Sequence, residues 1–371
     1  MMSQLRYRFV KAMHGLSFLK KVKEEAVIQL LGHSKIIGWE DNLPVRSLSI
    51  PAEYSPVQQK SMARLVNSLR SGVQAPGLAS LSITDTCDYS CDHCFAYDQP
   101  GRDLSTEEWK NIISQSLEMG AFTIIINGGE PLMRPDLPEI ISSIDRQKAT
   151  CLLYTNGSML KSRVKELYAA GLRRVAVSID FPSAKAHDNH RHKSGAFDAA
   201  IAGIHAAKKQ GMLTALSTFV SPERLYDGTL EGILRLSLEL KVNEVIIYDL
   251  LPVGKQPSCG SIKNTNPKYY HELRQLIEKW WQIKKAPGIW WYGHLVSPGN
   301  YGCPGGTSMF SISHSGDFKA CDFSRESVGN IANNDISSLW TSLRSSVHEK
   351  KSCNSGCMIL SEPNHCPSTK G

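Results

Sequence analysis

Leu78-Ala79-Ser80-Leu81-Ser82-Ile83-Thr84 is followed, after Asp85, by Thr86-Cys87-Asp88-Tyr89-Ser90-Cys91-Asp92-His93-Cys94-Phe95. The first run is short and apolar and reads as a strand. The second is a loop with cysteines spaced C-x3-C-x2-C. Three thiolates on one short loop can hold three irons of a 4Fe–4S cluster and leave the fourth open. An open iron can bind a small chelating molecule and pass it an electron. A strand that empties into such a loop therefore predicts redox chemistry at the edge of a sheet.

The pattern repeats downstream. Strands are expected at Leu78–Thr84, Phe122–Asn127, Cys151–Thr155, Val175–Ile179, Leu213–Val220 and Glu244–Tyr248. Amphipathic stretches lie between them near 105–119, 136–147, 160–170, 195–210 and 228–240. Ser105 with Glu108 forms a helix-opening capping box. Gly120, Gly171 and Gly211 stand where helices should stop. Six strand–helix repeats predict an α/β domain with a parallel sheet, open or closed into a partial barrel. Such folds place chemistry on the loops after the C-terminal strand ends.

The whole chain sets bounds. It has 371 residues, 41% hydrophobic and 21% charged, with a formal net charge of +7. That charge is too weak and dispersed to argue for nucleic acid. Ten cysteines without a secretory signal fit a reducing cytoplasm, where clustered thiols mean metal or redox chemistry. No apolar run reaches the roughly 18 residues needed to span a bilayer. Residues 1–31 read as a basic amphipathic helix. Its apolar stripe either packs on the main domain or rests on a membrane surface. Domain limits are expected at 1–75 for a helical N-terminal extension, 76–285 for the barrel and 286–371 for a small metal-organised domain.

These residues together resemble the radical SAM enzymes. In that family C-x3-C-x2-C follows the first strand of a (β/α)6 partial TIM barrel. The open iron there chelates the amino and carboxylate groups of S-adenosylmethionine. The resemblance implies Cys87, Cys91 and Cys94 as cluster ligands. His93 stands where the family carries an aromatic residue, beside Phe95. Gly128-Gly129-Glu130-Pro131 resembles the family's GGE motif, which implies a contact to the methionyl amino group. Thr155-Asn156-Gly157 resembles a segment lining the same pocket. Ser178 and Asp180 match polar contacts near the ribose. Arg191 resembles an arginine that pairs with the methionyl carboxylate, and Tyr248 opens the segment lining the adenine site.

The tail extends the resemblance. Cys303 and Cys321 stand in C-x12-G-x4-C, similar to the opening of SPASM and Twitch domains, followed by Cys353, Cys357 and Cys366. This implies one auxiliary 4Fe–4S cluster, with Cys303 and Cys321 as ligands and two of the last three completing it. Four thiolates would also satisfy zinc. Asp249 and Asp322 are candidate acid/base groups. The block Trp280, Trp281, Trp290, Trp291 and Tyr292 is either core or a wall for a flat apolar substrate. The implied activity is reductive cleavage of S-adenosylmethionine and hydrogen abstraction from an unactivated carbon. A lipid, isoprenoid or tetrapyrrole substrate is expected, with peptide modification as the rival and an iron–sulfur electron carrier as the non-enzymatic reading. A flavodoxin- or ferredoxin-type partner would supply the electron.

Overall fold

The computed structural model describes residues 35–71, 75–96, 101–255, 267–296 and 302–349. The described chain opens on a hairpin of β1 (Gly38–Glu40) and β2 (Leu43–Val45). Asp41 and Asn42 form its two-residue turn with φ of 49° and 64°. Both values are positive, the conformation that matches the twist of the flanking strands. Helix α1 (Pro56–Ser71) follows. The 1–75 segment was expected to be helical. Within its described part the hairpin precedes the helix, because strands of three residues leave too short a pattern to read. Residues 1–31 lie outside the described residues.

Six parallel strands then run in chain order: β3 (Leu78–Ser82), β4 (Thr123–Asn127), β5 (Thr150–Thr155), β6 (Arg174–Ser178), β7 (Leu213–Val220) and β8 (Glu244–Asp249). The helices between them include α2 (Thr106–Met119), α3 (Leu137–Ser142), α4 (Leu160–Ala169), α5 (Ala184–Arg191), α6 (Ala196–Lys209), α7 (Pro222–Tyr226) and α8 (Thr229–Leu240). The capping box forms at α2: Ser105 Oγ accepts from Glu108 N, and Ser105 N donates to Glu108 Oε2 at 2.7 Å. Gly120 closes the same helix at φ 114°.

Successive strand residues face opposite sides, and two cores result. Ile124, Ile126, Leu153, Val175, Val177, Leu216, Val245 and Ile247 point outward and pack under the helices. Ile125, Leu152, Ala176, Ala215 and Ile246 point into the lumen. There they meet Val45, Leu48 and Ala52 from the N-terminal segment. Each such Leu, Ile or Val contributes about 1.5–3 kcal/mol on full burial.

The N-terminal segment is a plug held by charge as well as by packing. Buried Arg174 donates to Leu48 O at 2.9 Å, Ile50 O at 2.6 Å and Glu40 Oε2 at 2.7 Å. Glu244 Oε2 accepts from Leu48 N at 3.0 Å, and Thr123 Oγ1 donates to Ser49 O at 3.1 Å. The plug is therefore tied to β4, β6 and β8 at the N-terminal mouth.

The described residues after 285, where a boundary was expected, pair into the same sheet as the barrel strands. Helix α9 (Pro267–Trp281) leads to β9 (Gly288–Trp291), which pairs parallel with β8. A short helix α10 (Tyr292–Val296) follows. Strand β10 (Met309–Ile312) pairs parallel with β3 at the opposite edge. Antiparallel β11 (Asp317–Lys319) and β12 (Ser327–Asn330) extend that edge. Helix α11 (Ile336–Glu349) packs its Leu339, Trp340 and Leu343 into the outer core with Phe310 and Phe318. The physical reason is the open barrel itself: β3 and β8 would otherwise be bare edges with unpaired backbone groups. Among the described residues, no helix is long and apolar enough to cross a membrane.

Candidate active site

The cysteine loop leaves β3 and is clamped from three sides. Gly129 N donates to Thr84 O at 2.7 Å and Glu130 N to Thr86 O at 2.8 Å. A Cβ on Gly128 or Gly129 would run into the backbone of Thr84, Asp85 or Thr86, so only glycine permits this approach. Ser90 N and Asp92 N donate to Arg191 O and His190 O. From the far side Lys255 N donates to Cys94 O at 3.0 Å. Gly254, at φ 61°, lies against Cys94 and Phe95 where any side chain would collide.

Cys87, Cys91 and Cys94 line one cavity of about 210 Å³ at the C-terminal ends of the strands. His93, Phe95, Gly128, Gly129, Asn156, Ser178, Asp180, Arg191, Tyr248, Asp249 and Asp322 line it too. The residues expected around the first cluster and S-adenosylmethionine are thus gathered into one place, with Glu130 as the exception, whereas Cys303 and Cys321 do not line it. Burial pushes the Cys87 thiol up to about 12 and raises Cys91 and Cys94 as well. Three unbridged thiols that resist ionisation alone suit a bound cation, which displaces their protons. This donor set fits an iron–sulfur cluster.

Glu130 was expected to face the cofactor's amino group, and here it turns inward instead. The side chain is fully buried. Its Oε1 accepts from Leu132 N at 2.9 Å and Thr155 Oγ1 at 2.7 Å, and its Oε2 from Asn156 N at 2.6 Å. Burial raises its pKa to about 7, opposed by those three donors. The carboxylate ties the end of β4 to the end of β5. It thereby sets Asn156, whose Nδ2 reaches Asp88 Oδ1 at 3.0 Å and lies 4.0 Å from Cys87 Sγ.

Asp180 and Arg191 satisfy each other. Arg191 Nε and Nη2 sit 2.7 and 2.6 Å from Asp180 Oδ2. Burial alone would raise the Asp180 pKa, but Arg191 and then His93 pull it below the ordinary carboxylate range. Asp180 Oδ1 faces His93 Nε2 at 3.8 Å, and His93 Nδ1 lies 2.6 Å from His190 Nε2. Burial lowers the His93 pKa to about 3, so its ring is neutral. One of the two imidazoles donates and the other accepts. Phe219 tilts against His93 at a centroid distance of 4.5 Å.

A polar layer crosses the lumen below this cavity. Tyr154 and Tyr248 share a hydrogen bond of 2.8 Å between their hydroxyls. Asp322 Oδ2 accepts from Ser80 Oγ at 2.7 Å and Asn127 Nδ2 at 3.1 Å, and its Oδ1 from Ser311 Oγ at 2.5 Å. Burial raises its pKa against those bonds. Asp249 is similarly engaged: Oδ2 accepts from Trp291 Nε1 at 3.1 Å, and burial lifts its pKa to about 6. Both candidate acid/base groups thus sit at the wall of the cavity with hydrogen-bond partners. Phe95 packs edge-on against Phe323 at 5.2 Å.

Several lining residues were not foreseen: Asn127, Tyr154, Ser217, Thr218 and Phe219. Their shared signal is position, since each stands in the C-terminal half of a barrel strand. In the tail, a Cβ on Gly305 would touch Ala320, which brings the turn after Cys303 against the residue before Cys321. Cys353, Cys357 and Cys366 lie outside the described residues.

Residues 81–236 match the family model described as the Radical SAM superfamily. The chain is 28% identical over 317 residues to an AdoMet-dependent heme synthase of Oleidesulfovibrio alaskensis, covering 77% of this chain and 81% of that one. It is 27% identical over 293 residues to an Fe-coproporphyrin III synthase of Methanosarcina barkeri, covering 71% and 73%. Among solved structures it resembles Streptococcus suis SuiB bound to S-adenosylmethionine. That match has a TM-score of 0.63 at 16% identity and covers 82% of this chain and 76% of that one. At that identity the likeness speaks for the fold.

Proposed function

We infer that this chain, a radical SAM enzyme whose radical SAM domain spans residues 81–236, oxidatively modifies a tetrapyrrole by hydrogen abstraction from an unactivated carbon. The observation that carries the chemistry is the single cavity shared by three thiols and a strand-end polar shell. Relatives named for heme and Fe-coproporphyrin III synthesis, matched over most of their length, support the substrate class. The likeness to Streptococcus suis SuiB, solved also with a bound precursor peptide, rests on the fold alone and does not favour a peptide.

Cys87, Cys91 and Cys94 would hold the cluster, and the groups around them would hold S-adenosylmethionine. When bound, the cluster and S-adenosylmethionine supply an electron and, from it, a 5′-deoxyadenosyl radical. The chain's own part is binding, orientation and exclusion of water. Gly128 and Gly129 let the backbone come close. Asn156, Ser178 and Tyr248 offer uncharged polar contacts. The Asp180–Arg191 pair places a fixed dipole beside the thiols without a net charge. His93, kept neutral, presents a flat face. Cys87 is the exposed thiol of the three, so an electron from a flavodoxin- or ferredoxin-type donor would enter on its side. Cys303 and Cys321 would help to hold an auxiliary 4Fe–4S cluster, which would supply an electron acceptor.

The test is anaerobic reconstitution of the full chain with iron and sulfide, then addition of S-adenosylmethionine and dithionite. Release of 5′-deoxyadenosine is expected, and iron coproporphyrin III should raise its yield and change mass. An intact cluster that cleaves no S-adenosylmethionine would defeat the enzyme reading. Cleavage without any effect of the porphyrin would defeat the substrate.

A further inference from the structure

The barrel lumen contains a second cavity, of about 300 Å³, on the opposite side of the Tyr154–Tyr248 layer. Its lining includes Ile50, Phe122, Trp290, Tyr292, Val296 and Met309, and also Cys321. It shares Ile125, Tyr154, Tyr248, Asp322 and Phe323 with the cavity at the cysteines, so one layer of side chains divides the two. The plug packs Val45, Leu48 and Ala52 against lumen residues of β4 to β8 and does not fill the whole N-terminal mouth. The side toward β3, β4 and β9 is left as a cavity.

Its rim carries one arginine side chain, Arg64. Arg64 is exposed and makes no hydrogen bond or ion pair among the described residues. A Cβ on Gly120 would meet its guanidinium at 2.9 Å, so the side chain lies over the C-terminal end of α2. That end of a helix favours a cation, which keeps the guanidinium in place without neutralising it. A guanidinium so placed can bind a carboxylate with two parallel hydrogen bonds. The aromatic walls meanwhile suit a flat apolar body.

We propose that this lower cavity binds the body of a flat macrocycle that enters by the N-terminal mouth, with Arg64 pairing with one of its carboxylates. A side arm then passes the tyrosine layer into the cavity at the cysteines. The proposal rests on the tetrapyrrole reading and adds its docking site and direction of entry. The layer is suited to an arm and not to a ring. Both Asp322 oxygens are committed to Ser80, Asn127 and Ser311. Among the described residues the two tyrosine hydroxyls hydrogen-bond each other, and they can open to hydrogen-bond an arm.

The test uses the reconstituted full chain with iron coproporphyrin III as probe, its binding followed by the porphyrin absorbance. Arg64→Ala should weaken binding about tenfold, the loss of about 1.4 kcal/mol. Ser308→Trp, which fills the cavity from its rim, should weaken it further. In both, 5′-deoxyadenosine release without porphyrin should match the wild type, because the cysteine end is untouched. Wild-type binding retained in both variants overturns the site and leaves the substrate reading standing. No porphyrin binding by a wild type that still releases 5′-deoxyadenosine overturns the substrate reading, and this site with it. If Ser308→Trp fails to fold, the exposed Arg64→Ala variant still decides.

Discussion

At the C-terminal end of the strands, the lumen is lined by thiols, a buried ion pair, imidazoles and two glycines pressed on backbone. At the N-terminal end Leu78 at the start of β3 and Phe122 just before β4 meet tryptophan, tyrosine and methionine, with Arg64 at the rim. The first end is held by directed bonds between charged or polar groups, such as Arg191 to Asp180 and Asn156 N to Glu130. The second is held by shape and area. Directed bonds fix atoms for chemistry, whereas apolar walls accept a range of flat bodies and fix them loosely. Substitutions should therefore fail in different ways at the two ends.

The sharpest contrast is Cys91→Ser. A hydroxyl at this buried position cannot replace the thiolate as a soft iron ligand. Iron bound after reconstitution should fall to near the level of an untreated sample, and 5′-deoxyadenosine should not exceed background. The fold should persist by circular dichroism. Retained cleavage would remove the cysteine loop from the mechanism.

Next in size is Asp180→Asn. It leaves the buried Arg191 guanidinium without its counter-charge, and breaking such a pair costs about 3–5 kcal/mol. Urea unfolding should show that loss. Arg64→Ala, at an exposed rim position, should change stability by less than about 0.5 kcal/mol. Equal stability losses at the two positions would break the comparison between the two ends.

How far the sequence revealed these two ends follows from the same contrast. The thiol end rests on contiguous words, Cys87–Cys94 and Gly128–Glu130, each placed just after a strand. The six strands were legible because apolar runs of five to eight residues alternate with helical periodicity. The lower cavity has no such word. Its lining comes from the N-terminal segment, the starts of β3 and β4, and the chain after Trp290, which only folding brings together. Gly254 illustrates the limit at the thiol end too. Nothing in Pro252-Val253-Gly254-Lys255 announces that it abuts Cys94 from more than 150 residues away. The direction of the Glu130 side chain was equally hidden, because a motif fixes the backbone and the surrounding donors choose where a carboxylate points. The strands β9 and β10 were missed as barrel strands since strands of four residues barely carry a period.

A pH measurement probes the plug. Glu244 is fully buried beneath it, and burial lifts its pKa from 4.5 to about 7. A carboxyl whose folded pKa is raised stabilises the fold most below its unfolded value. That contribution is lost as pH rises through the folded value, here between about pH 4.5 and 7. At about 1.4 kcal/mol per unit the loss is at most roughly 3 kcal/mol. Glu244→Gln removes the titration. Its denaturation midpoint should differ less between pH 5 and pH 8 than the wild type's. An unchanged difference would mean that Glu244 does not titrate against the fold in that range.

The smallest effect belongs to the layer between the two ends. Tyr154→Phe removes one hydroxyl and the 2.8 Å bond to Tyr248, while keeping the ring that both cavities share. A single hydrogen bond of this kind contributes about 1 kcal/mol net. Stability should fall by about that much, and 5′-deoxyadenosine release without substrate should be unchanged. If the layer only separates the two cavities, turnover with porphyrin should also stay near the wild-type rate. If its hydroxyls receive the substrate arm, product formed per 5′-deoxyadenosine should drop, because the arm is held less well while cleavage continues. The ratio of product to 5′-deoxyadenosine therefore tells a partition from a guide, and stability alone does not.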